Sequence, residues 1–339
     1  MKAKTNVGLI GAGRIGRVHA ENLVYRIPEA ELAAVSDVFV QAAETLAGEL
    51  GVPAVYSDHR HILEDKAIDA VLICSSTDTH APFIEQAALA GKQIFCEKPI
   101  ALDLDKIDRA LAAVEEAGVK LMVGFNRRFD PNFRRVREVV TAGEVGDPHL
   151  LRITSRDPAP PPIEYVKISG GIFLDMTIHD FDMARFLIGS DVEQVYAAGN
   201  VLVDPQIGEA GDIDTALVTL HFANGVLGAI DNSRQAAYGY DQRVEVFGSG
   251  GVVSADNAYP NTVQIGDARR IQRDLPLNFF MDRYTEAYVN EMRAFVDAIV
   301  HDTPPPATGL DGRIAVVMGY AARKSYLEGR PVKLSEVDS

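Results

Sequence analysis

"NVGLIGAGRIGRVHA", residues 6–20, decides how the rest of the chain is read. A short apolar run leads into Gly11, Gly13 and Gly16, spaced G-x-G-x-x-G, and a helical period follows them. In a strand–turn–helix setting each glycine has its own task. Gly11 permits a tight turn, Gly13 lets the backbone come close to a pyrophosphate, and Gly16 lets the helix pack tightly on the strand. The segment Ala12, Gly13, Arg14, Ile15 and Gly16 then presents helix N-terminal amides to phosphates. Glycines also mark ordinary turns, so context has to strengthen the motif. The next strand, "ELAAVSD" (31–37), supplies it by ending in Asp37, about 20 residues beyond the last glycine. A carboxylate at that tip accepts from a ribose 2′-hydroxyl and repels a 2′-phosphate, and Val38 and Phe39 offer no arginine to offset it. NAD is therefore the expected cofactor in preference to NADP.

The pattern repeats outward from that stretch. "DAVLICSS", "KQIFCE" and "KLMVGF" alternate with helical segments such as "HAPFIEQAALAG" and "LDKIDRALAAVEEAG". Runs like Val71, Leu72, Ile73 and Cys74 are too continuous for a sheet with one wet face, and imply parallel strands covered on both sides. The expectation is an α/β chain whose residues 1–125 form an NAD-binding, Rossmann-type doubly wound domain. After about residue 148 strands follow one another without helices between them, with hairpin signals at Asn224-Gly225 and at Gly248-Ser249-Gly250-Gly251. Residues 126–339 are thus expected to form an α+β domain for substrate binding and oligomerisation, carrying a large open, mostly antiparallel sheet. A sheet open on one face needs a cover, and a second copy of the chain is the expected one.

Two further places carry chemistry. The third strand delivers Ser75, Thr77 and His80 to the sheet edge where such folds bind ligands, and cofactor contact is expected of them, with helix capping by Thr77, Asp78 or Thr79 as the compatible plain alternative. One strand further on, "FCEKPIALD" (95–103) ends a buried strand in Glu97, Lys98 and Pro99. The proline biases Lys98 to an extended backbone that projects its side chain from the strand tip. A half-buried ammonium there is costly unless Glu97, a ribose or a substrate oxygen compensates it. In "GGIFLDMTIHDFDMARFL" (170–187), Asp175 and His179 stand four apart on one helix face, with Asp182 a turn beyond. A histidine held by a carboxylate is a good general base near neutral pH. A metal pair would need another convincing ligand, and none is evident, so no metal is expected.

Composition bounds the partners. The formal net charge of −15 over 339 residues, without a dense basic stripe, makes nucleic acid a poor partner, and none is expected. No apolar run of membrane-spanning length occurs and no leader precedes the first strand, so no membrane partner and a cytoplasmic location are expected. Cys74 and Cys96, the only cysteines, fall in central strands and read as buried free thiols.

Taken together, "GAGRIG", "EKP" and the "GGIFLDMTIHDFDMARFL" helix resemble the Gfo/Idh/MocA oxidoreductases over residues 6 to about 330, and "GFNRRFDPNF" is similar to the inositol-oxidising members of that family. The resemblance implies that Lys98, Asp175 and His179 form the catalytic group. It places Arg127, Asp157, Tyr240 and Tyr284 near the substrate, a cyclic polyol or sugar, with surface or packing roles as their plain alternative. The implied reaction is NAD-dependent oxidation of myo-inositol to 2-keto-myo-inositol by a homotetramer or homodimer. A scyllo-inositol or glucose-type dehydrogenase, and a non-catalytic NAD-binding sensor, stand as alternatives. The absence of an arginine cluster suits an uncharged ring.

Overall fold

A computed structural model of the chain describes residues 4–338. The contacts divide it into two compact units: residues up to Phe129 together with Glu286–Ile314, and Asp130–Thr285 together with residues from Ala315 on.

In the first unit the strands are β1 (Thr5–Ile10), β2 (Ala30–Ser36), β3 (Ala54–Tyr56), β4 (Ala70–Ile73), β5 (Gln93–Glu97) and β6 (Leu121–Gly124). They form one parallel sheet in the order β3-β2-β1-β4-β5-β6, so the strand order reverses beside β1. Val7, Leu9, Val71, Leu72, Ile73, Ile94 and Phe95 are wholly buried, as continuous apolar strands between two helical layers must be. Each such side chain contributes roughly 1.5–3 kcal/mol of burial. The first sheet ends with β6 at Gly124, the first unit runs on to Phe129, and the chain later returns to that unit. The helix Thr285–Val300 supplies Met292, Phe295 and Val296 to the same core as Leu9, Leu72 and Phe95.

The second unit carries β7 (Pro148–Arg156), β8 (Val192–Asn200), β9 (Thr215–Phe222), β10 (Leu227–Ser233), β11 (Asp241–Gly248) and β12 (Gly251–Ala255). A small exposed ribbon of β13 (Gln264–Gly266) and β14 (Ile271–Arg273) and the terminal β15 (Val332–Lys333) follow. Seven strands run in the order β12-β11-β7-β10-β9-β8-β15; β7 and β10 are parallel and the other pairs antiparallel. Both glycine hairpins join antiparallel neighbours, β9 to β10 and β11 to β12. Alternation sorts the faces: Ala216, Val218, Leu220 and Phe222 are buried, while Leu217, Thr219 and His221 are exposed. On the exposed face the register lines up Val252, Phe247, Leu150 and Leu227 across four adjacent strands, each of them exposed.

Among the ion pairs of the first unit, Arg128 and Asp311 form one with a buried guanidinium. The guanidinium of Arg128, itself buried, sits 3.0 Å from Asp311 Oδ1 and donates to the Pro306 carbonyl at 2.8 Å. Burial pushes the Asp311 carboxyl up, but Arg128 and the donors of Thr308 outweigh it and hold the carboxyl at about 2. A depressed folded-state value stabilises the fold above the ordinary carboxylate range, and this contribution is lost as pH falls toward about 2. Asp311→Asn is therefore expected to cost about 2 kcal/mol at neutral pH, with the gap to wild type closing between roughly pH 4 and pH 2. Denaturant titrations across that range measure it; a gap that stays constant as the pH drops would show that the pair supplies no such stability.

Candidate active site

The glycine stretch opens the helix Arg14–Arg26 directly after β1. Gly11 has φ +101, and a Cβ there would lie 2.6 Å from the Cys74 carbonyl. A Cβ at Gly16 would lie 2.0 Å from the Gly11 carbonyl oxygen. Gly13 differs: nothing stands within 4 Å of where its Cβ would be. It is the helix N-cap, no side chain caps it, and the first turn carries no acidic residue. Uncapped amides beside open space and an uncancelled helix dipole fit the pyrophosphate of a dinucleotide. Within the motif Arg14 is exposed, and half-buried Ile15 packs on the core.

Asp37 stands half-buried just past β2. Its Oδ2 accepts from Ala12 N–H and its Oδ1 from Phe39 N–H, both at 2.8 Å. The carboxylate thus braces the glycine turn as well as facing outward, and each oxygen keeps a lone pair for a ribose hydroxyl. Val38 and Phe39, the uncharged residues that follow Asp37, are 82% and 78% exposed.

At the end of β4, Ser75 Oγ lies 2.6 Å from Thr79 Oγ1, and Ser76, not Thr77, is the N-cap of the helix Thr77–Leu89. Thr77 is its half-buried first residue. His80 is buried, with Nδ1 at 2.8 Å from the Pro99 carbonyl and Nε2 at 3.0 Å from the Ser75 carbonyl. Its ring therefore ties the ends of β4 and β5 together. At β5, Glu97 Oε1 lies 2.7 Å from Nε2 of wholly buried His19. Lys98 is half-buried and joined to Pro99 by a cis peptide bond. Ligand-type atoms of His19, Glu97 and Glu291 lie within 4.8 Å of one another, and the His19–Glu97 hydrogen bond already occupies two of the three.

In the second unit Gly170 and Gly171 take φ +87 and +85. Asp212 Oδ1 accepts from Ile172 N–H at 3.1 Å, in the place a Cβ on Gly171 would crowd. The single helix read from the sequence is two: Ile172–Asp175 and Thr177–Ile188, broken at Met176. Asp175 thus closes a short turn instead of sharing an unbroken helix with His179, which is half-buried in the first turn of the longer helix. The Asp175 carboxylate is held at both oxygens: Oδ1 accepts from the Tyr165 hydroxyl at 2.8 Å and Oδ2 from Arg234 Nη1 at 2.9 Å. Burial, then the Asp175 charge, raises the Tyr165 hydroxyl well above its ordinary value, so it remains a donor. Asp182 is buried. Its neighbour Asp180 accepts from Asn232, which in turn accepts from Thr177.

Asp157, at the end of β7, lies 3.9 Å from the same Arg234, so the structure brings Asp157 and Asp175 together around one guanidinium. Tyr240 and Tyr284 meet separately, both buried, as an edge-to-face pair with centroids 6.0 Å apart. The Tyr284 hydroxyl donates to Gln242 Oε1 at 3.3 Å. Arg127 is buried in the short helix Asn126–Phe129 of the first unit. Arg234, Tyr165 and Asp212 were missed from the sequence, although one signal was present. The buried phase of β10 runs Gly228, Ile230, Asn232 and continues to Arg234, a charged residue at an inward position.

Comparison with known proteins covers both parts. The family model for "Oxidoreductase family, NAD-binding Rossmann fold" matches residues 5–125, and that for "GFO/IDH/MocA C-terminal domain" matches residues 133–254. A myo-inositol 2-dehydrogenase of Thermotoga maritima is 52% identical over 98% of this chain and 99% of its own. A scyllo-inositol 2-dehydrogenase (NAD(+)) of Bacillus subtilis is 39% identical over 98% and 97%. The crystal structure of a Lactobacillus casei myo-inositol dehydrogenase in complex with NAD(H) and myo-inositol is similar with a TM-score of 0.87 at 27% identity, covering 97% of this chain and 96% of that one. With both models matched in order and such identity across nearly its whole length, the chain belongs to the Gfo/Idh/MocA family of oxidoreductases.

Proposed function

We propose that this chain is an NAD-dependent inositol 2-dehydrogenase, oxidising a ring hydroxyl of myo-inositol to give 2-keto-myo-inositol (scyllo-inosose). The observation that carries the reading is the full-length likeness to a myo-inositol 2-dehydrogenase, closer than that to a scyllo-inositol enzyme. The uncapped glycine turn and Asp37 are the residues that would hold NAD, which when bound supplies the hydride acceptor. On this reading His179 takes the hydroxyl proton and the Lys98 ammonium steadies the negative charge that develops on the reacting oxygen. Asp175, anchored on two sides, orients a neighbouring hydroxyl. Arg127, Asp157 and Tyr240 are assigned to the remaining ring hydroxyls, and Tyr284 to packing behind Tyr240. The reading sets the enzyme in the cytoplasm, where the nicotinamide pool is kept.

Lys98→Ala and His179→Ala should each lower kcat/KM for myo-inositol by roughly 10²–10⁴-fold, the scale of a single acid–base or charge-stabilising group. The assay follows formation of reduced nicotinamide across a panel of inositol epimers and aldoses. Near-normal turnover in either variant overturns its role. No turnover of any polyol by the wild type would favour a sensor, and a preference for the scyllo epimer would favour the related dehydrogenase.

Asp37→Ala should weaken NAD and at the same time lower the NAD-over-NADP preference by roughly tenfold or more, about 1.4 kcal/mol. Because the side chain also braces the glycine turn, the ratio of the two KM values is the informative quantity. A ratio unchanged from wild type would remove Asp37 from cofactor selection.

The apolar row Val252, Phe247, Leu150 and Leu227 supports a homo-oligomer, a tetramer or a dimer, paired through the open sheet. Sedimentation at micromolar concentration should give an assembly, and Phe247→Glu should shift it toward single chains. A wild-type protein that sediments as a monomer would rule this out.

A further inference from the structure

We propose that Arg234 is a positioning residue for this reaction, whose buried guanidinium keeps the Asp175 carboxylate ionised and fixed in direction. The inference rests on the reading of Asp175 as a member of the catalytic group.

The Arg234 side chain is 2% exposed, so it touches substrate only through its neighbours. Burying a guanidinium is costly unless carboxylates surround it, and three do. Only Asp175 is at hydrogen-bond distance, 2.9 Å, whereas Asp157 and Asp212 stand at 3.9 and 4.0 Å. Nε and Nη2 are buried with no hydrogen-bond partner among the described residues. An arginine serving packing alone would be expected to satisfy its donors; one that leaves two unsatisfied and commits Nη1 to a single carboxylate has been placed for that carboxylate. Its own backbone is fixed, since its N–H donates to the Asp214 carbonyl at 2.8 Å.

The partners come from separate elements. Tyr165, on the short helix Ile163–Val166, donates to one oxygen of Asp175, and Arg234, just past β10, donates to the other. Two donors on different oxygens set the plane of the carboxylate. Three carboxylates against one cation leave surplus negative charge. Burial, with the Asp175 charge adding to it, raises the Asp212 carboxyl above its ordinary value. The titratable and charged groups around Asp175 are thus Tyr165, Asp157, Asp212 and Arg234, with His179 on the next helix.

The test is a double-mutant cycle on the full-length enzyme: Arg234→Gln, Asp175→Asn and the pair together, with Arg234→Lys as the conservative variant and thermal melts to normalise for folded protein. Arg234→Gln should lower kcat/KM roughly 10²-fold and move the acidic limb of its pH profile upward by roughly 1–3 units, because a carboxylate that loses its cation protonates more readily. In the Asp175→Asn background the same change should cost less than about threefold, and lysine should recover part of the loss. An Arg234→Gln loss as large with Asp175→Asn as without it overturns the inference and leaves the reading of Asp175 standing. A near-wild-type Asp175→Asn enzyme removes that reading and the inference with it. If Arg234→Gln does not fold, Arg234→Lys decides: an unshifted acidic limb overturns the inference, and a raised one upholds it.

Discussion

Gly11 and Gly16 leave no room for a side chain, and the ligand face of the first unit is built around that constraint. The end of β1, the start of the helix Arg14–Arg26 and the Cys74 backbone meet so closely that a single added carbon would overlap a carbonyl. Close packing there aims the first helical amides past the sheet edge, where Gly13 has open space. Asp37 is drawn into the same arrangement, because a carboxylate one strand away can reach the Ala12 amide. The tightest backbone contact and the phosphate-binding surface are therefore one feature: the helix has to come this close for its dipole to be useful at the strand tips.

The second unit is organised by charge. A sheet end that buries a guanidinium must gather carboxylates around it, and Arg234 gathers them from the end of β7, the turn that follows Gly171 and the segment before β9. Each of these segments is also held by backbone hydrogen bonds: Asp157 N–H to the Ser233 carbonyl, Asp175 N–H to the Gly171 carbonyl, and Asp212 N–H to the Ile207 carbonyl. Beside the burial of Ile172, Leu174 and Ile213, these three segments are thus held to one guanidinium by electrostatics.

Much of this was legible in the chain. Continuous apolar runs gave away parallel strands, strands without intervening helices and glycine hairpin signals gave away the mostly antiparallel sheet, and the glycine spacing pointed to a dinucleotide, because each of these patterns is local. The helix break at Met176 was not legible, since Asp175 and His179 keep helical spacing across it. Nor was the return of Glu286–Ile314 to the first unit. An amphipathic stripe such as Met292, Phe295 and Val296 says that a helix buries one face and nothing about which core receives it. Arg234 and Tyr165 lay between these cases. Strand phase pointed Arg234 inward, but its partners come from positions about 20 to 80 residues away, and pairings at such separations are a property of topology.

The same charge balance bears on what the second unit can accept. Asp157, Asp175 and Asp212 stand against one arginine whose charge they already absorb, so the surface around Asp175 offers acceptors and a net negative potential. A phosphate or carboxylate brought against these three carboxylates would meet like charge, and like charges in a partly desolvated setting repel by several kcal/mol. A neutral ring with a hydroxyl on every carbon meets the opposite situation, since each hydroxyl donates one hydrogen bond and carboxylates are the strongest neutral-pH acceptors a protein has. The carboxylates that keep a buried arginine in place therefore also disfavour an anionic group beside Asp175, in keeping with the uncharged cyclic polyol proposed as the substrate.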